Sequence, residues 1–563
     1  MQHYRPLLIL LTGAIVGTVL VLGMAVYAQT LFQKNNAYFF DAVYYQSYNA
    51  ALAQRLQTES RFSVALDEWL HNDRQPLRTA PLALLAPSLL SNPYGHLITT
   101  GLTLTLLLVL VGYVVYSRRQ SLWLALGAQI LLTAVPLYYD SYRGIANYWL
   151  EWGAALWLGC AVCFLLLAID FPKQQRWIIG FALSAAAATL SRYIASMFVA
   201  TVCIVPFGFY LWRRWQLQRQ WRDVIVGAAL PLCIILVSAG YFLLAHLSSN
   251  IAFYRDYGYA INQTFTSSWQ FIHTSLLVMW QLTGRVQYLF IYTSLVVLGL
   301  NLILTLRRQT IGQWVVALWI SLAVPVTLLG LRTVGALHPL IYGLFPVIVA
   351  SVAPAQEMTL NRWKKFLHIG IVALLVFVAA VSLAQQRWKI ITLAGQTLSP
   401  EKYFNQQLVD GFAQVDDSSI VWQGYFDEYS TIPTMELYYA TGQLALAAGQ
   451  PFFNRQITAW QADYPGLTKE QVAERVYAGT GEWVDVAVVF IDPDQGRLNG
   501  WMLNDYSRQV ADYMARTLPT DPQWEKVFTI ESPFYSTLVG YRNLSPRSDN
   551  YEVRLRTPAI VRP

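Results

Sequence analysis

Residues 7–27 read LLILLTGAIVGTVLVLGMAVY, an apolar run without a single charge. A helix needs about 20 such residues to cross the hydrocarbon core of a bilayer. The run is long for the apolar part of a signal peptide. It lacks a clear small-residue cleavage site and is followed by more runs of its kind, so it reads as a retained first span. Further runs fall at 96–116, 122–139, 148–170, 176–190, 195–213, 224–247, 286–306, 312–330, 338–353 and 366–384. That predicts about 11 transmembrane helices.

The rest of the composition agrees. Of 563 residues, 55% are hydrophobic and 13% charged, against about 25% charged in ordinary soluble domains. A cytosolic enzyme is excluded. The formal net charge of +7 hides an asymmetry: residues 1–390 hold 26 Lys+Arg and 11 Asp+Glu, whereas 391–563 hold 13 and 21. The basic part is too apolar to serve as a nucleic-acid surface, so its cations belong to loops flanking a membrane. An integral membrane part, 1–385, is expected to precede a smaller acidic domain, 386–563.

Short loops rich in Lys and Arg lie on the cytoplasmic side. These carry Arg118/Arg119, Lys173/Arg176, Arg213/Arg214/Arg219/Arg222, Arg307/Arg308 and Arg362/Lys364/Lys365. Such a bias predicts a cytoplasmic N-terminus and, with an odd number of spans, an external C-terminal domain. Two external loops are long, 28–95 and 248–285. Tyr44, Tyr48, Leu52 and Leu56 recur every four residues in the first, the stripe of a helix lying in the interface.

The acidic domain has strand-like runs at Ser419–Gly424, Val484–Ile491, Val527–Ile530 and Thr537–Tyr541. Helical patterns at Met435–Tyr439 and Asn504–Thr517 come between them, which predicts a small α/β domain. It has neither a phosphate-cradling Gly-rich loop nor a nucleophile elbow. All four cysteines (Cys160, Cys163, Cys203 and Cys233) lie in apolar runs and read as packing residues. The acid pairs Asp67-Glu68 and Asp427-Glu428 read as solvated surface. No bound metal or cofactor is expected.

Charges near bilayer depth are costly and mark candidate sites. Asp41, in YFFDAVYYQ beyond the first span, fits either a helix N-cap or a carboxylate that takes a proton from an attacking hydroxyl. Asp140, Tyr142, Arg143 and Glu151 fall in the short loop YYDSYRGIANYWLEW, where the charges should face external water or a cavity. An Asp140–Arg143 surface ion pair is the simpler possibility there. Arg192 interrupts ATLSRYIASMF, and Arg332 and His338 stand in GLRTVGALHPLIYGLFP. Each arginine alone could snorkel. Arginines at separate external turns, beside two carboxylates, describe a cationic pocket suited to phosphate with a general base nearby.

The order of one span, a long external loop starting with an acid, and RQPLRTAPLALLAPSLLSNPYG before the second span resembles the GT-C superfamily of polytopic glycosyltransferases. The likeness is to the branch of protein O-mannosyltransferases and lipid A aminoarabinose transferases. Their late Arg/His–Tyr–Pro stretch is similar to RTVGALHPLIYGLFPVIV. The family's Asp-Glu pair stands here as Asp41-Ala42 and its "PPL" as Gln75-Pro76-Leu77. The resemblance implies a GT-C-like fold with Asp41 as catalytic base and Asp140 in the polar loop after span three. Arg192, Arg332 and His338, with Arg143, would bind the phosphate of a polyprenyl-phosphate sugar. Such an enzyme transfers the sugar to a lipid, glycan or protein acceptor outside the cell membrane. Three other classes fit less well: a polysaccharide polymerase or ligase, whose large loop would come late in the chain; a transporter or lipid flippase, which tends to have repeats and mid-membrane sites; and an envelope receptor, which needs none of these residues.

Overall fold

A computed structural model describes residues 5–35, 48–49, 52–53, 55–72, 75–92, 95–135, 138, 144–145, 150–248, 251, 293, 296–297, 299–300, 311–331, 338–352, 362–395, 420–423, 453–456, 464, 466–483, 486–491, 505–531 and 537–545. The chain divides into two compact units, residues 1–29 with 59–393 and residues 30–58 with 394–563.

The first unit is helical. Its elements are α1 (Arg5–Asn35), α2 (Arg61–His71), α3 (Pro76–Leu85), α4 (Ser88–Ser91), α5 (Gly95–Arg119), α6 (Leu122–Thr133), α7 (Leu150–Asp170), α8 (Gln175–Ser191), α9 (Ala195–Gln218), α10 (Trp221–Ala245), α11 (Ile311–Leu331), α12 (His338–Val352) and α13 (Arg362–Gly395). Among the described residues five helices are long and apolar enough to cross a membrane: Pro6–Ala28, Gly95–Arg119, Glu151–Asp170, Ala195–Leu217 and Trp221–Ala245. The apolar run 122–139 gives a shorter helix than its length suggests. It ends at Thr133, because Val135 precedes Pro136 and a residue before proline is pushed out of the α region. Run 366–384 lies inside the 34-residue α13, and run 286–306 falls mostly outside the described residues.

Three helices are held by a seam of small residues. A Cβ on Gly13 would stand 2.9 Å from Val109, and one on Gly17 would stand 2.5 Å from Thr105 Oγ1. From the other side, a Cβ on Gly101 would lie 2.5 Å from Val21, and one on Gly112 would lie 2.7 Å from Ile9. Positions four apart on α1 thus meet positions on α5 running the other way, with backbones close enough that glycine is required. At the seam's end the buried Gln129 of α6 donates through Nε2 to Ile9 O (3.0 Å) and Leu108 O (3.1 Å). One side-chain amide therefore ties α1, α5 and α6 together.

One end of the long helices is closed by arginines. Arg118 donates to both carboxylate oxygens of Asp170, at 2.6 and 3.0 Å, and to Leu166 O. Arg214 donates to Asp223 O (2.8 Å), Pro172 O (3.1 Å) and Tyr210 Oη (3.1 Å). The ends of α5, α7 and α9 and the start of α10 are joined by these bonds. Cys160, Cys163 and Cys203 are buried and unbridged, as packing residues should be, whereas Cys233 is exposed on the surface of α10 and does not pack inside.

The second unit contains a mixed five-stranded sheet, order β2-β1-β3-β5-β4, from β1 (Ile420–Gln423), β2 (Phe453–Gln456), β3 (Val486–Ile491), β4 (Trp524–Glu531) and β5 (Thr537–Asn543). β1 runs parallel to β2 and β3, while β5 pairs antiparallel with β3 and β4. Helices α14 (Lys469–Trp483) and α15 (Asp505–Thr517) cover it with Val472, Val476, Val510 and Met514, packed on Ala487, Val489 and Val539. Opposite the irregularity at Lys526/Phe528, Gly540 has no side chain because the Phe528 ring fills that space. The expected α/β character holds. The helix expected at Met435–Tyr439 lies outside the described residues, while β2 and α14 are elements the apolar pattern did not announce.

Candidate active site

The site is built where several helices of the first unit begin or end together. Phe198, one turn into α9, stacks on Tyr342 of α12 at 4.5 Å between ring centroids. Trp152, in the first turn of α7, lies 6.0 Å from Phe345 of α12 and 5.2 Å from Tyr138. The first two turns of α7, α9 and α12 are thereby gathered at one end. Helix N-termini carry partial positive charge and exposed N–H groups, a setting that favours anions.

Arg192 stands at the same end. It caps the C-terminus of α8 in extended conformation, its N–H donating to Ala188 O. Its Nε lies 3.1 Å from Oε1 of Glu151, the second residue of α7, and the side chains are 21% and 5% exposed. Of the two settings expected for the charges of this loop, external water or a cavity, Glu151 is not in the first, since it is buried. The carboxylate is inside because Arg192 supplies its counter-charge and the first turn of α7 adds favourable dipole. Beside Arg192, Tyr193 packs on Phe242 in a cluster with Ala186, Leu190 and Ala239. Burial pushes the Tyr193 phenol above its ordinary pKa, so it remains an O–H group.

The long loop after the first span contributes a lid to this end. Trp69 of α2 and Leu77 of α3 pack against the Tyr193 cluster. Ser60 caps α2 by accepting from Ser63 N, and Pro76 sits at the first turn of α3, where it sacrifices no helical bond. Between the two helices lies a polar knot. Asn72 donates to Glu68 Oε2 (2.8 Å) and Thr79 Oγ1 (3.1 Å) and accepts from Gln75 N (3.0 Å). Glu68 is buried, against the expectation of a solvated Asp67-Glu68 pair; only Asp67, paired with His71 at 2.8 Å, behaves that way. Helical periodicity separates them, since consecutive residues point about 100° apart. Arg78 fastens α3 to α5 through His96 O and Thr100 Oγ1, both at 3.2 Å, and His96 Nε2 donates to Ile145 O at 3.3 Å.

Of the residues singled out from sequence, Arg192 is placed at the C-terminus of α8, paired with Glu151. His338 is the first residue of α12, one turn before Tyr342. Asp41, Asp140, Arg143 and Arg332 lie outside the described residues. Glu151 was named among the charges of the short loop, but its pairing with Arg192 was not read. Glu68 is the residue read as surface that belongs inside, and its signal was Asn72 four residues on.

No family model and no curated protein matches the chain. Solved structures do. ArnT from Cupriavidus metallidurans bound to undecaprenyl phosphate is 12% identical, with 93% of this chain and 97% of that one covered at a TM-score of 0.51. The same protein in the apo state matches over the same shares at 12% identity and 0.48. The Archaeoglobus fulgidus oligosaccharyltransferase in complex with Zn and sulfate matches at 13% identity and 0.44, over 93% of this chain and 73% of that one. At such identity the likeness to the first is one of fold, and it extends over nearly the whole of both chains. The protein is an α-helical polytopic membrane protein whose fold is similar to that of the solved ArnT.

Proposed function

We propose that this protein is a membrane glycosyltransferase that moves a sugar from a polyprenyl-phosphate donor to an acceptor hydroxyl at the external face of the cell membrane. The observation that carries the reading is Arg192, held by buried Glu151 where three helices begin, in a fold similar to that of an ArnT solved with undecaprenyl phosphate. A polyprenyl phosphate leaves readily once its charge is neutralised, and Arg192, with Arg143, Arg332 and His338, supplies cations for that purpose. Asp41 takes the proton from the acceptor hydroxyl. The oxygen attacks the anomeric carbon as the bond to the phosphate oxygen breaks, and the electron pair leaves with the lipid phosphate. Direct displacement inverts the anomeric centre. Asp140 stands as a second carboxylate in the same set. Residues 1–385 form the catalytic part in this reading and 386–563 an external domain.

The test is transfer from a lipid-linked sugar in liposomes. Asp41→Asn should lower turnover at least ~10²-fold while donor binding persists, the low end for losing a general base. Asn caps a helix about as well as Asp, so near wild-type turnover would refute the role. Arg192→Ala should raise KM for the donor, with Lys a poor substitute if the contact is bidentate. Wild-type donor kinetics in Arg192→Ala would remove it from the phosphate site.

A further inference from the structure

At the end of the first unit away from Arg192, Arg176 bonds Gln174 and Arg119 is buried, and the remaining cations differ in kind. Arg118 and Arg214 are consumed by Asp170 and by the acceptors Leu166 O, Asp223 O, Pro172 O and Tyr210 Oη. Lys173, Arg213, Arg219 and Arg222 have no side-chain hydrogen bond or ion pair among the described residues. Arg213 is only half-buried, yet its Nε is shielded from solvent with no acceptor. Lys173 is brought to the group because its neighbour Pro172 accepts from Arg214. Between residues 171 and 223 the single acid is Asp223.

Helix-dipole compensation does not account for these positions. It would favour Arg213 near the C-terminus of α9, but Arg222 lies in the first turn of α10, where a cation is disfavoured. Arg219 ends α9 in the left-handed region, at φ 51°, where glycine is the ordinary choice. Both placements are locally unfavourable and both put a guanidinium beside the others. Interleaved with them, Trp212, Trp215 and Trp221 are exposed, and the last two rings lie 6.3 Å apart. Leu217 and Ile225 are exposed alongside. Indoles and arginines at the end of apolar helices occupy the headgroup level of a bilayer.

We infer that Arg213, Arg219 and Arg222, with Lys173, form a binding site for the phosphate headgroup of an anionic phospholipid. Trp212, Trp215 and Trp221 flank its glycerol and upper acyl region. The unmet donor of Arg213 finds its acceptor in the lipid phosphate, and the apolar flanks select a lipid over a free anion. This inference does not rest on the proposed transferase activity.

Thermal unfolding of the full chain in neutral detergent, titrated with phosphatidylglycerol, phosphatidylcholine or inorganic phosphate, tests it. Phosphatidylglycerol should raise Tm saturably, with an effect that fades as salt is added; the other two should not. Arg219→Gly removes a guanidinium while easing the backbone, so the lipid-free Tm should hold or rise as the apparent affinity for phosphatidylglycerol falls about fivefold. Arg213→Gln should behave alike in affinity, and the combined Arg213→Gln, Arg219→Gly, Arg222→Gln variant should lose the preference. Equal shifts with phosphatidylcholine, a shift reproduced by inorganic phosphate, or unchanged affinity in Arg219→Gly would overturn it. The last result decides even if the combined variant fails to fold.

Discussion

Glu151 and Arg192 are individually expensive and jointly tolerable. A carboxylate at 5% exposure has little water left to solvate it, so its ionised form depends on the guanidinium 3.1 Å away. Breaking such a pair from one side strands a charge, at a cost of about 3 kcal/mol, whereas removing both charges costs less. Glu151→Gln and Arg192→Gln should therefore each destabilise the protein, and the double variant should fall short of their sum by roughly 0.5–3 kcal/mol. Denaturant unfolding of the four proteins in one mixed-micelle condition measures this coupling. Strict additivity would show that the two residues are neighbours without partnership. The sequence displayed both residues as lone charges at helix ends. Their pairing was hidden because positions 151 and 192 meet only through the antiparallel packing of α7 and α8.

At the scale of elements, the seam between α1 and α5 makes two glycines behave in opposite ways. A Cβ on Gly112 would sit 2.3 Å from Gln129 Nε2 and 2.7 Å from Ile9, so Gly112→Ala must push apart α1, α5 and α6. Gly127 in α6 has only Leu375 Cδ1 near, at 4.0 Å. There alanine gains helix propensity of about 1 kcal/mol without a clash. Gly112→Ala should thus lower Tm and Gly127→Ala raise it, as read by thermal unfolding in detergent; the same sign for both would contradict the packing. Much of this level was written plainly. GAIVG at 13–17 is a small-xxx-small pattern, and Thr468 with Gln471 forms a capping box, with reciprocal bonds of 3.3 and 2.9 Å at the start of α14. Five of the apolar runs, 7–27, 96–116, 148–170, 195–213 and 224–247, coincide with helices long enough to span, but did not fix their ends, because a helix continues past the apolar stretch wherever no proline stops it. The edge strand β2, FNRQ, shows no alternation to read, since its ladder rather than its side chains specifies it.

For the molecule as a whole, composition and charge asymmetry predict a membrane part, 1–385, and an acidic part, 386–563. The compact units are residues 1–29 with 59–393, which is helical, and 30–58 with 394–563, which contains the sheet. The resemblance, drawn from the long first loop and the late RTVGALHPLIYGLFPVIV, concerned residues 1–385, whereas the likeness of fold covers 93% of the chain. Arginine placement also agrees with a two-ended bundle: Arg118 and Arg214 join turns at one end, and Arg192 with Glu151 marks the other. Which end faces the cytoplasm follows from the Lys/Arg bias alone. An impermeant thiol reagent applied to intact cells should label a cysteine introduced at the C-terminal residue 563 and leave one introduced at Lys173 unmodified. Labelling at Lys173 alone would invert the topology and move the proposed transferase site to the cytoplasmic side.

The amide of Gln129 also sets a schedule for biosynthesis. Its acceptor Ile9 O is 120 residues earlier in the chain. At about 5–20 residues per second, α1 leaves the ribosome roughly 6–24 s before the side chain that secures it has been made. Throughout that interval the Gly13–Gly17 face is a bare strip of helix backbone awaiting α5, and a slow-inserting second span would prolong its exposure to lipid and to other nascent helices. Early mispairing of α1, rather than collapse of the finished bundle, is therefore the characteristic fault that a bulky residue at Gly13 or Gly17 would introduce.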